Sequence, residues 1–472
     1  MHRRKSVISA VVLGSILALP AAAQWKPELK HAPAIASNRS ETSAAPAASV
    51  KDGFTFAAGG DLLGLYNPRL AMNDPALLKA LELFQKSDAG FANLEANLFD
   101  TWDFKGAPAA ENGGFEQGGI GSGPLLPKSV AADLKRFGIT MLSTANNHSL
   151  DWGVEGLAET LRNLNEAGLV HAGAGLSLQQ ARAPGYLTTS RGRVALIGAA
   201  TTFMPMSPAG AGGGDGRQFK APRPGIAAIR SRPIALVTAP ELEVMKGIAK
   251  RQGKLVDPGD TEVTLTPNEA IFIQQTFRLS DRTGLTYELN QEDRDGVLRA
   301  VRMGKQGADL AVFSIHAHET ESGGQELDAA PDTLAPADFM QGLFHDAIDT
   351  GADIVVTHGP HVLRGVEIYN GKPIFYGMGS LFFELGTDWR REWFESVIAI
   401  SEFRGGRVAE VRLYPITLGL PEEKRSRLDQ GTPRLATGEA ARRILESLQR
   451  SSQRYNTKIS IENGIGVIRV GS

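Results

Sequence analysis

Short apolar runs alternate with stretches of helical periodicity along the first three quarters of this chain, and paired strands follow. Phe54 to Ala58 is apolar and stops at Gly59-Gly60-Asp61, which predicts a buried strand. Pro75 to Phe84 sets Leu77, Leu78, Leu81 and Phe84 at helical spacing, and Ala89 to Leu94 predicts a second strand that ends at Glu95. Gly106 to Pro124 is glycine-rich and reads as a long surface loop. Ser129 to Phe137 reads as a helix, and Ile139 to Ser143 as a strand running into Ala145-Asn146-Asn147-His148. Val154 to Ala167 carries Leu157, Leu161 and Leu164 on one helical face, and Val194 to Ala199 is another buried strand.

Phe203 to Gly225 is dense in Gly, Pro and Arg and predicts an irregular loop or lid. Its GGGDG run lacks the Gly-Lys-Ser/Thr ending of a phosphate-cradling loop, so it carries no nucleotide role. Ile226 to Tyr287 reads as an insertion in the same domain, with a helix over Ala239 to Gln252 and alternation near Ile271 to Phe277. Asp293 to Lys305 is helical, and Leu310 to Ile315 is a strand ending at His316-Ala317-His318-Glu319. Pro336 to Thr350 is a helix feeding Asp353 to His361, DIVVTHGPH, where an apolar strand ends in two histidines three apart with Gly359-Pro360 between them. Two hairpins follow: Val366 to Tyr369 with Pro373 to Tyr376 around Asn370-Gly371, and Val397 to Phe403 with Val408 to Tyr414 around Gly405-Gly406. A helix over Gly438 to Ser451 and a strand near Gly466 to Val470 close the chain. The order predicts an α/β (α+β) fold with mixed sheets.

The 472 residues carry a formal charge of −2, 42% apolar and 22% charged residues, which is ordinary for a globular protein and gives no reason to expect nucleic acid as a partner. The absence of cysteine excludes disulfides, zinc-thiolate sites and a cysteine nucleophile. Arg3-Arg4-Lys5, the apolar Ser6 to Leu19 and Pro20-Ala21-Ala22-Ala23 read as a signal peptide over 1–23, with a retained single-pass anchor as the alternative. Residues 24–52 read as a disordered Ala/Pro/Ser tether, 53–417 as the main domain with an insertion at about 203–290, and 418–472 as an addition packed on it. The expected location is the periplasm or the cell exterior, with cell-envelope association open.

Asp61, Glu95, Asn147 with His148, His316, His358 and His361 all stand at the carboxyl ends of predicted strands, where α/β folds gather their sites. Carboxylate, amide oxygen and imidazole together suit a divalent transition metal such as Mn, Fe or Zn, and two ions sharing Glu95 would activate a water for hydrolysis. Arg364, three residues past His361, is the best candidate to meet an anionic substrate; Lys220 and Arg223 read as solvated loop charges. Trp389 to Trp393, WRREW, reads equally as a polymer-contacting rim or a packed turn. His171 and His345 read as surface or packing residues, and no G-x-S-x-G elbow supports serine chemistry.

The strings GGDLLG, FANLEANL, STANNHSLDWG, SIHAHE and VVTHGPHVLRGVEIYNGKPIFYGMGSLFFE, in this order, resemble CapA-type poly-γ-glutamate capsule synthesis proteins of the calcineurin-like metallophosphoesterase superfamily. The resemblance covers roughly Gly53 to Phe403 and implies a four-layer αββα sandwich around one or two metal ions. It implies that Asp61, Glu95, Asn147, His316, His358 and His361 are metal ligands, with Glu95 standing where the superfamily has a bridging Asp. It makes His148 the histidine that protonates a leaving group, with Asp151 orienting it. The superfamily places a histidine two residues after the first Asp, where this chain has Leu63; His318 or Glu319 would compensate, although the residues alone read His318 as structural. The implied function is a metal-dependent hydrolase of a phosphoester or amide in capsule or cell-envelope polymer metabolism. The implied partner is an anionic polymer or a phosphorylated small substrate, touched by Arg364 and Glu319. The alternative is a non-catalytic assembly, export or binding factor for such a polymer.

Overall fold

A computed structural model describes residues 47–64, 74–106, 124–213, 220–268, 273–323, 335–384, 390–420, 423, 425 and 430–471. The expected strands, joined by others that the sequence reading did not single out, form two large mixed sheets. The first has ten strands, ordered Ser460–Glu462, Ile465–Arg469, Arg407–Thr417, Glu395–Arg404, Phe54–Leu63, Ala89–Leu94, Met141–Ser143 and Val170–Ala172, with Ser380–Phe383 also on Phe54–Leu63 and Arg434–Leu435 on Arg407–Thr417. The second has six, ordered Val366–Tyr369, Lys372–Phe375, Ile354–His358, Leu310–His316, Gly192–Ala200 and Gly185–Thr189.

Alternation along the strands explains the packing. Phe54, Phe56, Ala58, Phe91 and Met141 of the first sheet share one apolar cluster with Val194, Leu196, Leu310, Val312, Ile354 and Val356 of the second. Their neighbours point the other way. Ala57, Ala92 and Leu142 meet Leu77, Leu81 and Phe84 of the helix Pro75–Gln85 and Leu134 of the helix Val130–Arg136. Ala195, Ile197, Phe313, Ile315 and Val355 meet the helices Gln291–Gln306 and Asp338–Thr350.

Both hairpins form as expected, with Asn370 and Gly371 at φ 51° and 75° and Gly405 and Gly406 at 56° and 71°, the left-handed pairs that type I′ turns need. The first strand departs from expectation: it does not stop at Gly59-Gly60 but runs through Leu63. A Cβ on Gly60 would lie 1.7 Å from the Gly379 carbonyl oxygen, so the glycine serves a close backbone approach inside the sheet rather than a turn.

The insertion has a core of its own. Ser231–Val237, Glu262–Asn268, Ile273–Leu279 and Gly284–Leu289 form a separate four-stranded sheet under the helix Ala239–Arg251, around Val237, Leu242, Ala249, Val263 and Leu265. The signal segment and residues 24–46 of the expected tether lie outside the described residues, as do 107–123 of the expected surface loop and 214–219 of the expected lid. Residues 47–52 of that tether are packed: Ala48 and Val50 are buried, and the Ser49 amide donates to Asp309 O at 2.9 Å. Among the described residues no helix is long and apolar enough to cross a membrane.

Candidate metal centre

Strand register sets up the site. Across the first sheet Asp61 lies beside Asn93 on one side and Ser380 on the other; across the second, His316 lies beside His358. These two rows face each other, Asp61, Asn93, His316 and His358 toward the carboxyl ends of their strands and Ser380 at the start of its own, and all five side chains are fully buried. His358 Nδ1 is 3.7 Å from Asp61 Oδ1, which joins the sheets at this point. His361 follows from the turn at Gly359-Pro360, takes the left-handed backbone at φ 50°, and brings Nδ1 to 3.2 Å from Asp61 Oδ2. The Gly359 amide donates to the same oxygen at 3.1 Å.

Glu95, fully buried, approaches from the end of Ala89–Leu94, with Oε1 3.6 Å from His316 Nε2 and 4.0 Å from His148 Nε2. Three overlapping groups of potential ligand atoms lie within 4.8 Å of one another: Asp61, His316 and His358; Glu95, His316 and His318; and Asp61, Glu95 and His361. The residues expected as acidic and imidazole ligands are therefore all brought together. Asn147 is buried in the same loop as His148. Beside the cluster, His148 Nδ1 lies 2.7 Å from Asp151 Oδ2, and Asn97 Nδ2 donates to the His148 carbonyl at 2.9 Å.

Electrostatics fit a dication. Burial drives the His316 imidazole well below its usual range, with the charges of His318, His358, His361 and His148 adding to the effect. Burial likewise lowers His358 to about 4, against the opposing pull of Asp61 and with help from His318. Burial would raise Asp61, but the His361 hydrogen bond and the His361 and His358 charges outweigh it and hold the carboxyl at about 2. Neutral imidazoles and ionised carboxylates are the protonation states that metal ligation requires. Two buried carboxylates and four convergent histidines thus match the donor set of a borderline dication.

Several side chains behave differently from the sequence reading. Arg364 is buried and donates from Nη2 to His318 O at 3.0 Å and from Nη1 to Glu319 O at 3.3 Å, so it clamps the loop after Leu310–His316. Glu319 accepts from Thr201 Oγ1 at 2.8 Å and stays outside the three ligand groups. His318, read as structural, enters the cluster with Nε2 2.8 Å from His316 Nε2. Trp393 is buried with its ring 4.8 Å from that of His361, a packed turn, while Trp389 lies outside the described residues. His345 Nε2 pairs with Glu367 at 2.9 Å and His171 Nε2 with Asn165 at 3.2 Å, both away from the cluster.

Sequence reasoning missed Asn93, Asn146 and Ser314. Asn93 Nδ2 donates to Asp61 at 2.9 Å, and its Oδ1 accepts from Asn146 Nδ2 at 3.2 Å. Ser314 Oγ lies 2.7 Å from His358 Nε2 and fixes that ring from behind. Polar residues inside apolar strands, FANLE and VFSIH, were the available signal.

With this geometry in place, the similarities to known proteins fall into line. Residues 55–385 match the family model described as bacterial capsule synthesis protein PGA_cap. An uncharacterized protein, y4sH, of Sinorhizobium fredii is 37% identical over 90% of this chain and 95% of its own length. Capsule biosynthesis protein CapA of Bacillus anthracis is 25% identical over 63% of this chain and 53% of its own, and PGA biosynthesis protein CapA of Bacillus subtilis is 28% identical over 55% and 46%. The matched segment contains every candidate ligand from Asp61 to His361, and this chain belongs to the bacterial capsule synthesis PGA_cap family.

Proposed function

We propose that this chain is an exported metal-dependent hydrolase built on the αββα sandwich of the metallophosphoesterases, acting on an anionic cell-envelope polymer such as poly-γ-glutamate or on a phosphorylated substrate. The observation that carries this reading is the convergence of Asp61 and Glu95 from one sheet with His316 and His358 from the other, completed by His361, within 4.8 Å groups. A sandwich is supported by the apolar cluster that both sheets share and by the helices on their outer faces. The polymer context rests on the names of the CapA relatives. Export rests on the signal-peptide reading of residues 1–23.

Asp61, Glu95, Asn147, His316, His358 and His361 would hold one or two ions of manganese, iron or zinc. When bound, such an ion supplies Lewis-acid polarisation and lowers the pKa of a water molecule at neutral pH. His148 handles the proton: Asp151 meets the ring at Nδ1 and leaves Nε2, 4.0 Å from Glu95 Oε1, to serve the leaving group. Asn93, Ser314 and Ser380 orient Asp61, His358 and His361.

The test is metal analysis of the purified protein together with turnover on phosphoester and γ-glutamyl amide panels. Bound transition metal with turnover that His148→Ala abolishes, while metal content holds, supports the reading. No metal and no turnover sinks it. Leu63, buried among apolar residues where the superfamily has a ligand, favours a second reading as a binding factor. That reading requires polymer binding that survives both His148→Ala and chelation.

A further inference from the structure

We propose that His318 supplies the imidazole that position 63 lacks, so that Glu95, His316 and His318 form one ion position and Asp61, Glu95 and His361 the other, with Glu95 common to both. The inference rests on the metal-binding reading above and assigns its ligands anew.

His316 presents its two ring nitrogens to different partners. Nδ1 faces His358 Nδ1 at 3.1 Å and Asn93 at 3.4 Å, whereas Nε2 faces Glu95 at 3.6 Å and His318 Nε2 at 2.8 Å. The Nε2 side therefore gathers a carboxylate and two imidazoles, a donor set that would suit a borderline dication. Leu63 takes no part: it lies in the apolar cluster with Leu77, Leu81 and Phe383.

The backbone around His318 is built to hold that ring in place. The His318 amide donates to Thr202 Oγ1 at 2.9 Å, and its carbonyl accepts from buried Arg364 at 3.0 Å. One residue on, Glu319 is pinned at its carbonyl by Arg364 and at its carboxylate by Thr201. Tyr287, from the insertion, donates to the Thr320 carbonyl at 3.3 Å. Just past the neighbouring strand, a Cβ on Gly359 would come within 2.9 and 3.0 Å of His318 Cδ2 and Nε2, so the glycine of DIVVTHGPH makes the space this ring fills. A merely surface-packed histidine has no need of a buried arginine, a threonine cap and a vacated Cβ at once. Ligand positions need such outer support to hold their geometry.

The experiment strips the full-length protein with chelator and titrates Mn2+ or Zn2+ against a chromophoric competitor, counting ions per chain. Wild type binds two ions. His318→Ala keeps one and weakens the other on the order of 100-fold, while metal-free melting of the variant stays with metal-free wild type. His318→Ala with two ions at wild-type affinity overturns this ligand set alone; wild type that takes up no ion overturns it together with the hydrolase reading. A second measurement uses no variant: zinc addition to ¹⁵N-histidine-labelled wild type shifts the His318 ring nitrogen, and an unmoved His318 resonance overturns the assignment.

Discussion

His148 Nδ1 and Asp151 Oδ2 sit 2.7 Å apart, both buried, beside the cluster of candidate ligands and outside its three groups. The pair is held from the chain itself: Asn97 binds the His148 carbonyl, and the His148 amide donates to Asn146 Oδ1 at 3.1 Å. The Asp151 carboxylate meets the ring at Nδ1, and the Asp151 amide donates to the His148 carbonyl at 3.3 Å, so its effect is on ring orientation and tautomer. Asp151→Asn is expected to lower kcat by roughly 100-fold or more with KM and metal content unchanged, as for other His-orienting carboxylates. Steady-state kinetics beside metal analysis would check this, and a fall in metal content equal to the fall in rate would count against it.

Gly60 and Gly59 differ in what stands over them. A Cβ at 60 meets the Gly379 carbonyl at 1.7 Å, and that carbonyl accepts the Asp61 amide at 3.2 Å. A Cβ at 59 meets chiefly the end of the Leu381 side chain, at 2.8 Å. Gly60→Ala is therefore expected to cost about 3 kcal/mol or more and to displace Asp61, whereas Gly59→Ala costs about 1 kcal/mol. Urea denaturation of both variants, with metal binding measured alongside, separates the two.

The metal-free protein should lose stability as acid is added through mildly acidic pH. His358 is held at about 4 against an ordinary 6.5, and His316 lies well below its ordinary value, both chiefly through burial. Below pH 6.5 the unfolded chain takes up protons that the folded one refuses, so stability falls as pH drops from 6.5 toward 4. His358 alone accounts for about 3 kcal/mol of that loss. Asp61, held at about 2 against an ordinary 3.8, extends the decline below pH 4. Chelated protein unfolded by urea at a series of pH values gives the slope; a flat profile between pH 7 and 4 would contradict it.

At the opposite end of the DIVVTHGPH strand, buried Asp353 accepts from Lys305 Nζ at 2.8 Å and pairs with Lys372 Nζ at 3.2 Å. Lys305 also binds the carbonyl of Ala47, tying the chain ahead of the first strand to this pole. Asp353→Ala leaves a buried ammonium without its counter-charge and is expected to cost about 3–5 kcal/mol. Breaking the exposed Arg442–Glu446 pair with Glu446→Ala should cost less than about 1 kcal/mol. Equal losses in the two variants would refute the distinction.

By itself the sequence determined the main strands and helices and the strand ends at which candidate chemistry gathers. Period-two and period-3.6 apolar patterns are local, so the strand ending at His316, the strand of DIVVTHGPH, the helices over Pro75–Gln85 and Gln291–Gln306 and both glycine-marked hairpins were legible from residue order. The ligand types at strand ends were legible for the same reason. Register and sheet pairing are not local, and they decided the rest. Only the lateral match of Asp61 with Asn93 and Ser380, and of His316 with His358, made partners of residues as far as 319 positions apart along the chain. The same lateral pairing of the His316 and His358 strands set Gly359 beside His318, and its missing Cβ left room for that ring in the cluster. Burial also made Arg364 a clamp on that loop, since a guanidinium largely excluded from water directs its donors to nearby carbonyls.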